Sequence, residues 1–194
     1  MIERYTRPEM GHLWSIQNEW QTILNVEIAA CEAMAELGEI PTAAVENIKK
    51  NARFDVARIN EIEKTTDHDI IAFLTNLEEN VGEDSKYIHK GLTSSDVKDT
   101  AYCVMMRDAA AIILDDLRAF REVLRRRAEE FRHTPCIGRT HGIHAEPMTF
   151  GLKLLLWSAE IERDIERLTR AKEIVSVGKL SGAVGTYSNI DPRI

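Results

Sequence analysis

The chain has 194 residues, of which 44% are hydrophobic, 29% charged and 6% aromatic, and its 32 acidic and 25 basic residues give a formal net charge of −7. That length fits one domain, or one domain and part of another, and the hydrophobic content suffices to bury a core. The acidic excess argues against a general nucleic-acid or anionic-membrane binder, since neither role can be filled without a basic surplus to displace counterions.

Residues 8–37 predict one long helix, because Leu13, Ile16, Trp20, Ile23, Leu24, Glu27, Cys31 and Met34 fall at helical spacing. Thr6 and Glu9 are three apart in the pattern of a capping box, Pro8 suits the first turn, and Gly38 suits the stop. Shorter helices are expected at Thr42–Asn51 and 55–64, then at Asp69–Val81 with Gly82 ending it. Residues 83–95 predict a polar loop. From 95 to 132 there is no Gly or Pro, which predicts a helix of roughly 55 Å. A Gly- and Pro-containing loop is expected around 138–147, then a second long helix over 147–175 and a Gly- and Ser-rich loop from Ser176 to Tyr187. No strand pattern exceeds a few residues, and no repeat is visible.

This predicts an all-α fold, with a small N-terminal helical domain at 1–94 and the start of a helical bundle at 95–194. Two helices this long need partners along their length. One antiparallel pair would leave apolar surface uncovered, so more sequence, other subunits or both are expected. Trp14, Trp20 and Trp157 fall at apolar helical positions and read as core. No apolar run approaches the ~20 residues of a membrane span, and Met1-Ile2-Glu3-Arg4-Tyr5 does not read as a signal peptide. Cys31, Cys103 and Cys136 are odd in number and far apart, so neither a disulfide framework nor a CxxC metal site is supported. A reducing, cytoplasmic setting is the expectation, with no nucleic-acid or membrane partner.

The chemistry gathers at helix ends. His68 lies in Thr65-Thr66-Asp67-His68-Asp69, His89 in the polar loop, and His141 and His144 in Gly138-Arg139-Thr140-His141-Gly142-Ile143-His144-Ala145-Glu146-Pro147. Imidazoles in loops are suited to proton transfer and to holding anions. Any one of them taken alone reads as a polar surface residue; it is the three loops together, each beside a helix start, that point to chemistry. Thr93-Ser94-Ser95-Asp96 can cap the long helix, and the same hydroxyls and free N–H groups can take a carboxylate or phosphate. His141, His144 and Glu146 resemble a metal-ligand cluster. HxxH in a flexible loop does not fix two imidazoles on one face as HExxH does on a helix, so no metal is expected. No Walker A, GxGxxG or GxSxG pattern is present. Arg125-Arg126-Arg127 lies among glutamates and reads as a solvated face or an intersubunit pairing surface rather than a nucleic-acid patch.

At these residues the chain resembles the fumarase/aspartase superfamily, and within it the branch that cleaves adenylosuccinate. Arg4-Tyr5 with Pro8-Glu9-Met10, the His68 segment, Gly91-Leu92-Thr93-Ser94-Ser95-Asp96, Thr140-His141 followed by Ala145, Pro147, Thr149 and Gly151, and Ser181-Gly182-Ala183-Val184-Gly185-Thr186 carry the match in the family's order. The resemblance implies elimination of fumarate from a succinylated nucleotide, without metal or organic cofactor. By that analogy His141 is the general acid, and His68 shares the catalytic assignment while also binding and orienting substrate. Asp67, Asp69 and His89 fall in substrate-binding segments, Thr93 and Ser94 hold a substrate carboxylate, and Arg4 and Tyr5 reach the nucleotide. It also implies a homotetramer whose active sites draw on several subunits. The family's serine-rich signature loop and the Glu that partners the catalytic His have no counterpart in these 194 residues, so the chain resembles somewhat less than half of such an enzyme and is expected to be inactive alone. Ile143 stands where many members have Gln, which favours the adenylosuccinate branch over fumarase. The rivals are a sibling such as an argininosuccinate-cleaving lyase and a non-catalytic helical assembly module.

Overall fold

The computed structural model describes residues 2–194. Among them the chain forms seven α-helices and one two-stranded antiparallel sheet, with 3-10 turns at Glu3–Tyr5 and Gly82–Tyr87. The all-α class holds, with a β-hairpin as the addition.

The first predicted helix is two. α1 (Pro8–Leu13) ends at Trp14, and Ser15 adopts an extended conformation as the N-cap of α2 (Ile16–Glu36), its hydroxyl accepting the Asn18 N–H at 3.2 Å. Apolar periodicity runs through this break, so spacing alone does not reveal it. The capping box also fails to form. Arg7 occupies the N-cap of α1, Thr6 turns its hydroxyl to the Ile2 carbonyl at 2.8 Å, and Glu9 pairs with Arg7. Pro8 does take the first helical position. At the far end of α2, Gly38 at φ +75° donates to Ala35 and Glu39 to Met34, the paired bonds of a Schellman stop.

α3 (Thr42–Asn51), α4 (Val56–Thr66) and α5 (Asp69–Val81) lie where the caps place them. Asp55 caps α4 by accepting the Arg58 N–H at 2.9 Å, and Gly82 at φ +75° ends α5. The long helix is α6 (Ser94–Glu130). β1 (Pro135–Thr140) and β2 (Ile143–Thr149) replace the expected loop, and α7 (Phe150–Val175) starts three residues later than predicted because Pro147 belongs to β2.

The chain divides into two compact units, Met1–Met105 with Ser176–Ile194, and Met106–Val175. In the first, Trp20 stacks on Phe73 at 4.9 Å and Phe54 meets the same ring edge-on at 6.0 Å. Ile23, Met34, Ile48, Ile59, Ile70 and Leu77 complete its core, joined by Val97 and Ala101 of α6 and by Ile190. In the second, Leu124 and Ala128 of α6 pack on Leu154 of α7, and Phe131 lies 5.2 Å from Phe150. The helices approach so closely there that a Cβ on Gly151 would sit 2.3 Å from the Ala128 carbonyl oxygen. Arg121 donates twice to Glu162 across the pair. Leu152, Leu155 and Leu156 of α7 and Ile113, Phe120 and Val123 of α6 remain exposed. Of the three tryptophans only Trp20 is core; Trp14 and Trp157 are 37% and 42% exposed. No helix among the described residues is long and apolar enough to cross a membrane.

Candidate functional site

In the unit formed by Met1–Met105 and Ser176–Ile194, the sequence places three polar clusters at helix ends. The first is the α4–α5 junction. Asp67 turns the chain there in the left-handed conformation (φ +50°). His68 follows as the N-cap of α5, its Nδ1 accepting the Ile71 N–H at 3.4 Å. That bond requires an unprotonated Nδ1, so the neutral ring carries its proton on Nε2. Asp69 accepts the Ile70 N–H and binds the Lys98 ammonium of α6. Burial pushes the Asp69 carboxyl upward, but Lys98 and the Ile70 N–H outweigh it and hold it below the usual carboxylate range. Lys98 is in turn held above the ordinary lysine value by Asp69.

The second cluster is His89 with Glu27. Glu27 of α2 has no solvent exposure, and both its oxygens go to His89, one to the backbone N–H at 2.9 Å and one to Nδ1 at 2.5 Å. The third is the start of α6. Thr93 and Ser94 are half-buried there, and among the described residues their hydroxyls make no hydrogen bond, leaving both available to a ligand. Beneath them, the fully buried Asp96 accepts the N–H groups of Thr93 (3.0 Å), Ser181 (3.1 Å) and Gly182 (3.0 Å). It also binds the Lys179 ammonium at 2.8 Å, and Lys179 donates to the Ser95 hydroxyl. Burial pushes the Asp96 carboxyl up, but Lys179 and these N–H groups prevail and hold it low. The sequence reading of Asp96 as a capping residue is half the story: it takes the Thr93 N–H as a capping box would, and also clamps the Gly-rich loop.

Arg4 and Tyr5 do not join these clusters. The Arg4 guanidinium lies over the Tyr5 ring at 4.8 Å, and Tyr5 is 75% exposed. Neither lines the nearby cleft, which is formed by Glu3, Thr6, Arg7, Pro8, Gly11 and Trp14.

In the other unit, Met106–Val175, His141 and Gly142 form the two-residue tip of the β1–β2 hairpin, between the paired Thr140 and Ile143. Their φ values of +52° and +75° are those of a type I′ turn, whose twist suits a hairpin. The register slips between Ile137 and Arg139, where Gly138 lies so near β2 that a Cβ would meet the Glu146 carbonyl at 2.7 Å. His141 is exposed, and its ring makes no hydrogen bond among the described residues. Residues 138–147 are thus a hairpin rather than a loop, which sets the imidazole at a defined tip. His144 stands opposite Arg139. Among the described residues no group of three or more His, Cys, Asp or Glu is placed to hold a metal ion.

Glu27, Lys98 and Lys179 are the residues sequence reasoning missed as partners. Glu27 was visible as a carboxylate at an apolar helical position, the one available signal.

The family described as lyase matches residues 3–194. The chain is 53% identical over all 194 residues to the adenylosuccinate lyase of Bacillus subtilis, 54% to that of Synechocystis sp. and 49% to that of Staphylococcus saprophyticus, covering 45% of each. It therefore spans less than half the length of these curated relatives. Among solved structures it resembles a fumarate lyase from Mesorhizobium sp. BNC1 (TM-score 0.89, 32% identity, 95% of this chain and 44% of that one). It also resembles a 3-carboxy-cis,cis-muconate lactonizing enzyme from Pseudomonas putida (TM-score 0.88, 30% identity, 95% and 43%).

Proposed function

The chain belongs to this lyase family, within the fumarase/aspartase superfamily, and on that premise we propose that it is the N-terminal part of an enzyme that eliminates fumarate from adenylosuccinate to give AMP. The same chemistry would split the succinylated aminoimidazole carboxamide ribotide of purine synthesis. The observation that carries the reading is the 49–54% identity over the whole chain to three adenylosuccinate lyases.

The elimination needs a base for a weakly acidic proton beside a carboxylate, an acid for the departing nitrogen, and donors for the charge that develops. His141 is assigned the acid, and its exposed hairpin tip supports this, since an imidazole there can meet a substrate. The unbonded hydroxyls of Thr93 and Ser94, at the positive end of α6, suit a carboxylate of the succinyl group. His68, with its proton on Nε2, and His89 orient the substrate, Asp67 and Asp69 shape the His68 turn, and Arg4 and Tyr5 reach the nucleotide. No cofactor enters the scheme. The base belongs to sequence outside these residues, so the chain is expected to be inactive alone. The working enzyme is read as a cytoplasmic homotetramer with shared active sites, divided at about residue 94 into an N-terminal and a bundle domain.

The test is a full-length parent carrying His141→Ala, assayed by the fumarate absorbance of adenylosuccinate cleavage. The expected loss is about 10²-fold or more in turnover, the scale of acid–base catalysis. Unchanged turnover, or activity on argininosuccinate alone, would defeat the reading.

A further inference from the structure

Glu27 is a fully buried carboxylate whose neighbours along α2, Ile23, Leu24, Ala30 and Cys31, are buried as well. A charge in such surroundings persists only when it is paired and hydrogen-bonded. Both of its oxygens serve a single residue, His89, one through the main chain at 2.9 Å and the other through the ring at 2.5 Å. His89 stands at φ +63°, a left-handed conformation in which histidine is one of the better tolerated residues. Gly91 keeps the same turn in place, because its α-carbon backs directly onto the Asn189 carbonyl. The carboxylate therefore fixes the backbone and the imidazole of His89 together.

A carboxylate accepts hydrogen bonds and does not donate them, so the Nδ1 facing it carries a proton whether the ring is neutral or charged. The other ring nitrogen, Nε2, makes no hydrogen bond among the described residues. Among the described residues no buried side-chain nitrogen or oxygen is left without a partner, so Nε2 is reached by solvent. The side chain as a whole is only 15% exposed, which confines access to that edge.

We propose that Glu27 is a positioning residue: it holds His89 with the proton on Nδ1 and presents Nε2 as the ring atom that meets the substrate. The proposal rests on the reading of His89 as a substrate-binding residue. Neutral Nε2 accepts from a hydroxyl or N–H of the ligand; protonated, it donates to an oxyanion. Both side-chain hydrogen bonds of Glu27 go to His89, so it acts through that residue.

Nitrogen-15 NMR of the chain labelled at histidine tests this, recorded at alkaline pH where imidazoles are neutral and with His89 assigned through His89→Gln. Wild-type His89 is expected as the Nδ1–H tautomer, the opposite of the form that free histidine favours. Glu27→Gln should return it to a mixture dominated by Nε2–H. Wild-type His89 in the Nε2–H form overturns the proposal without any variant, so a Glu27→Gln chain that fails to fold does not shield it. A folded Glu27→Gln chain with an unchanged His89 spectrum overturns it as well. In the full-length parent, Glu27→Gln is expected to raise KM about tenfold with a smaller fall in kcat, on the scale of losing a residue that orients a ligand-binding histidine; an unchanged KM removes the substrate half of the proposal. A full-length parent with no lyase activity would instead fail the functional reading, while the tautomer result would still stand.

Discussion

Asp96→Ala is the sharpest test of how the Gly-rich segment is held. The wild-type carboxylate takes three backbone N–H groups and one ammonium: Thr93, Ser181, Gly182 and Lys179. Lys179 is 42% exposed and can return to water, so its pairing counts for little. The N–H groups of Ser181 and Gly182 are buried and cannot. Leaving both without an acceptor, with the Thr93 cap lost besides, should cost roughly 3–5 kcal/mol. At a urea slope of about 2 kcal/mol/M this moves the unfolding midpoint down by about 2 M. Trp20 is the one buried tryptophan, so its blue-shifted fluorescence reports the unit that contains Asp96. Limited proteolysis should also begin to cut within 176–190 in the variant. A midpoint shift under about 0.5 M with an unchanged cleavage pattern would refute the claim that this carboxylate anchors the segment.

The same carboxylate makes a pH prediction with a definite sign. Its folded value lies below the ordinary one, so the unfolded chain binds the proton more readily. The stability it contributes is complete above the unfolded value of about 3.9 and is lost as pH falls toward the folded value. Asp69, also held low, adds to the same acid limb. Asp96→Asn should flatten that limb, and an equally steep one would count against the assignment.

Gly91→Ala and Gly142→Ala form a matched pair, since both glycines have φ near +75° but only at Gly91 would an added Cβ meet backbone, 2.1 Å from the Asn189 oxygen. The first should cost about 3 kcal/mol or more, from left-handed strain plus overpacking, and the second about 1–2 kcal/mol from strain alone; urea titrations that rank them equally would contradict the contact. His68→Ala removes the N-cap of α5 and should lower stability by about 0.5–1 kcal/mol, whereas His68→Asn keeps a capping oxygen and should be near neutral. In the full-length parent both should lose turnover, because neither offers the Nε2–H; retained turnover in His68→Asn would mean that the cap is the histidine's whole role.

The helices could be read from sequence where their ends are decided locally. Gly38 and Gly82 stop α2 and α5 because they supply positive φ within the helix's own last turn. The Ser15 break was hidden because apolar spacing carries on through it. The hairpin was hidden for the opposite reason: Gly138 and Pro147 disturb any alternation, and only the His141–Gly142 pair hints at a turn with both φ values positive. The site was half visible. Histidines and hydroxyls at helix ends can be picked out one by one, but what holds them is distant in the chain. Glu27 and His89 are 62 residues apart, and Asp96 reaches Ser181 and Gly182 across 85 and 86. A buried carboxylate signals that a partner exists without naming it.

The three imidazoles assigned to the chemistry share a backbone rule and differ in restraint. All lie off the helical conformation, with φ of −152°, +63° and +52° at His68, His89 and His141, which frees each ring from helix packing. His89 is held by two bonds from one buried carboxylate, His68 by one long bond from a backbone N–H, and His141 by none among the described residues. The backbone of His141 is nonetheless fixed by its turn, so it is the side-chain torsions that remain free. In the proposed role of acid, His141 would have to point at a leaving nitrogen, and among the described residues no hydrogen bond gives its ring that direction. In the isolated chain, histidine-ring relaxation should therefore rank His89 as most restricted and His141 as most mobile on the ps–ns scale, with His141 becoming ordered in a full-length assembly. A His141 ring as restricted as His89 in the isolated chain would show that its orientation is already built in, and the need for an outside partner would fall.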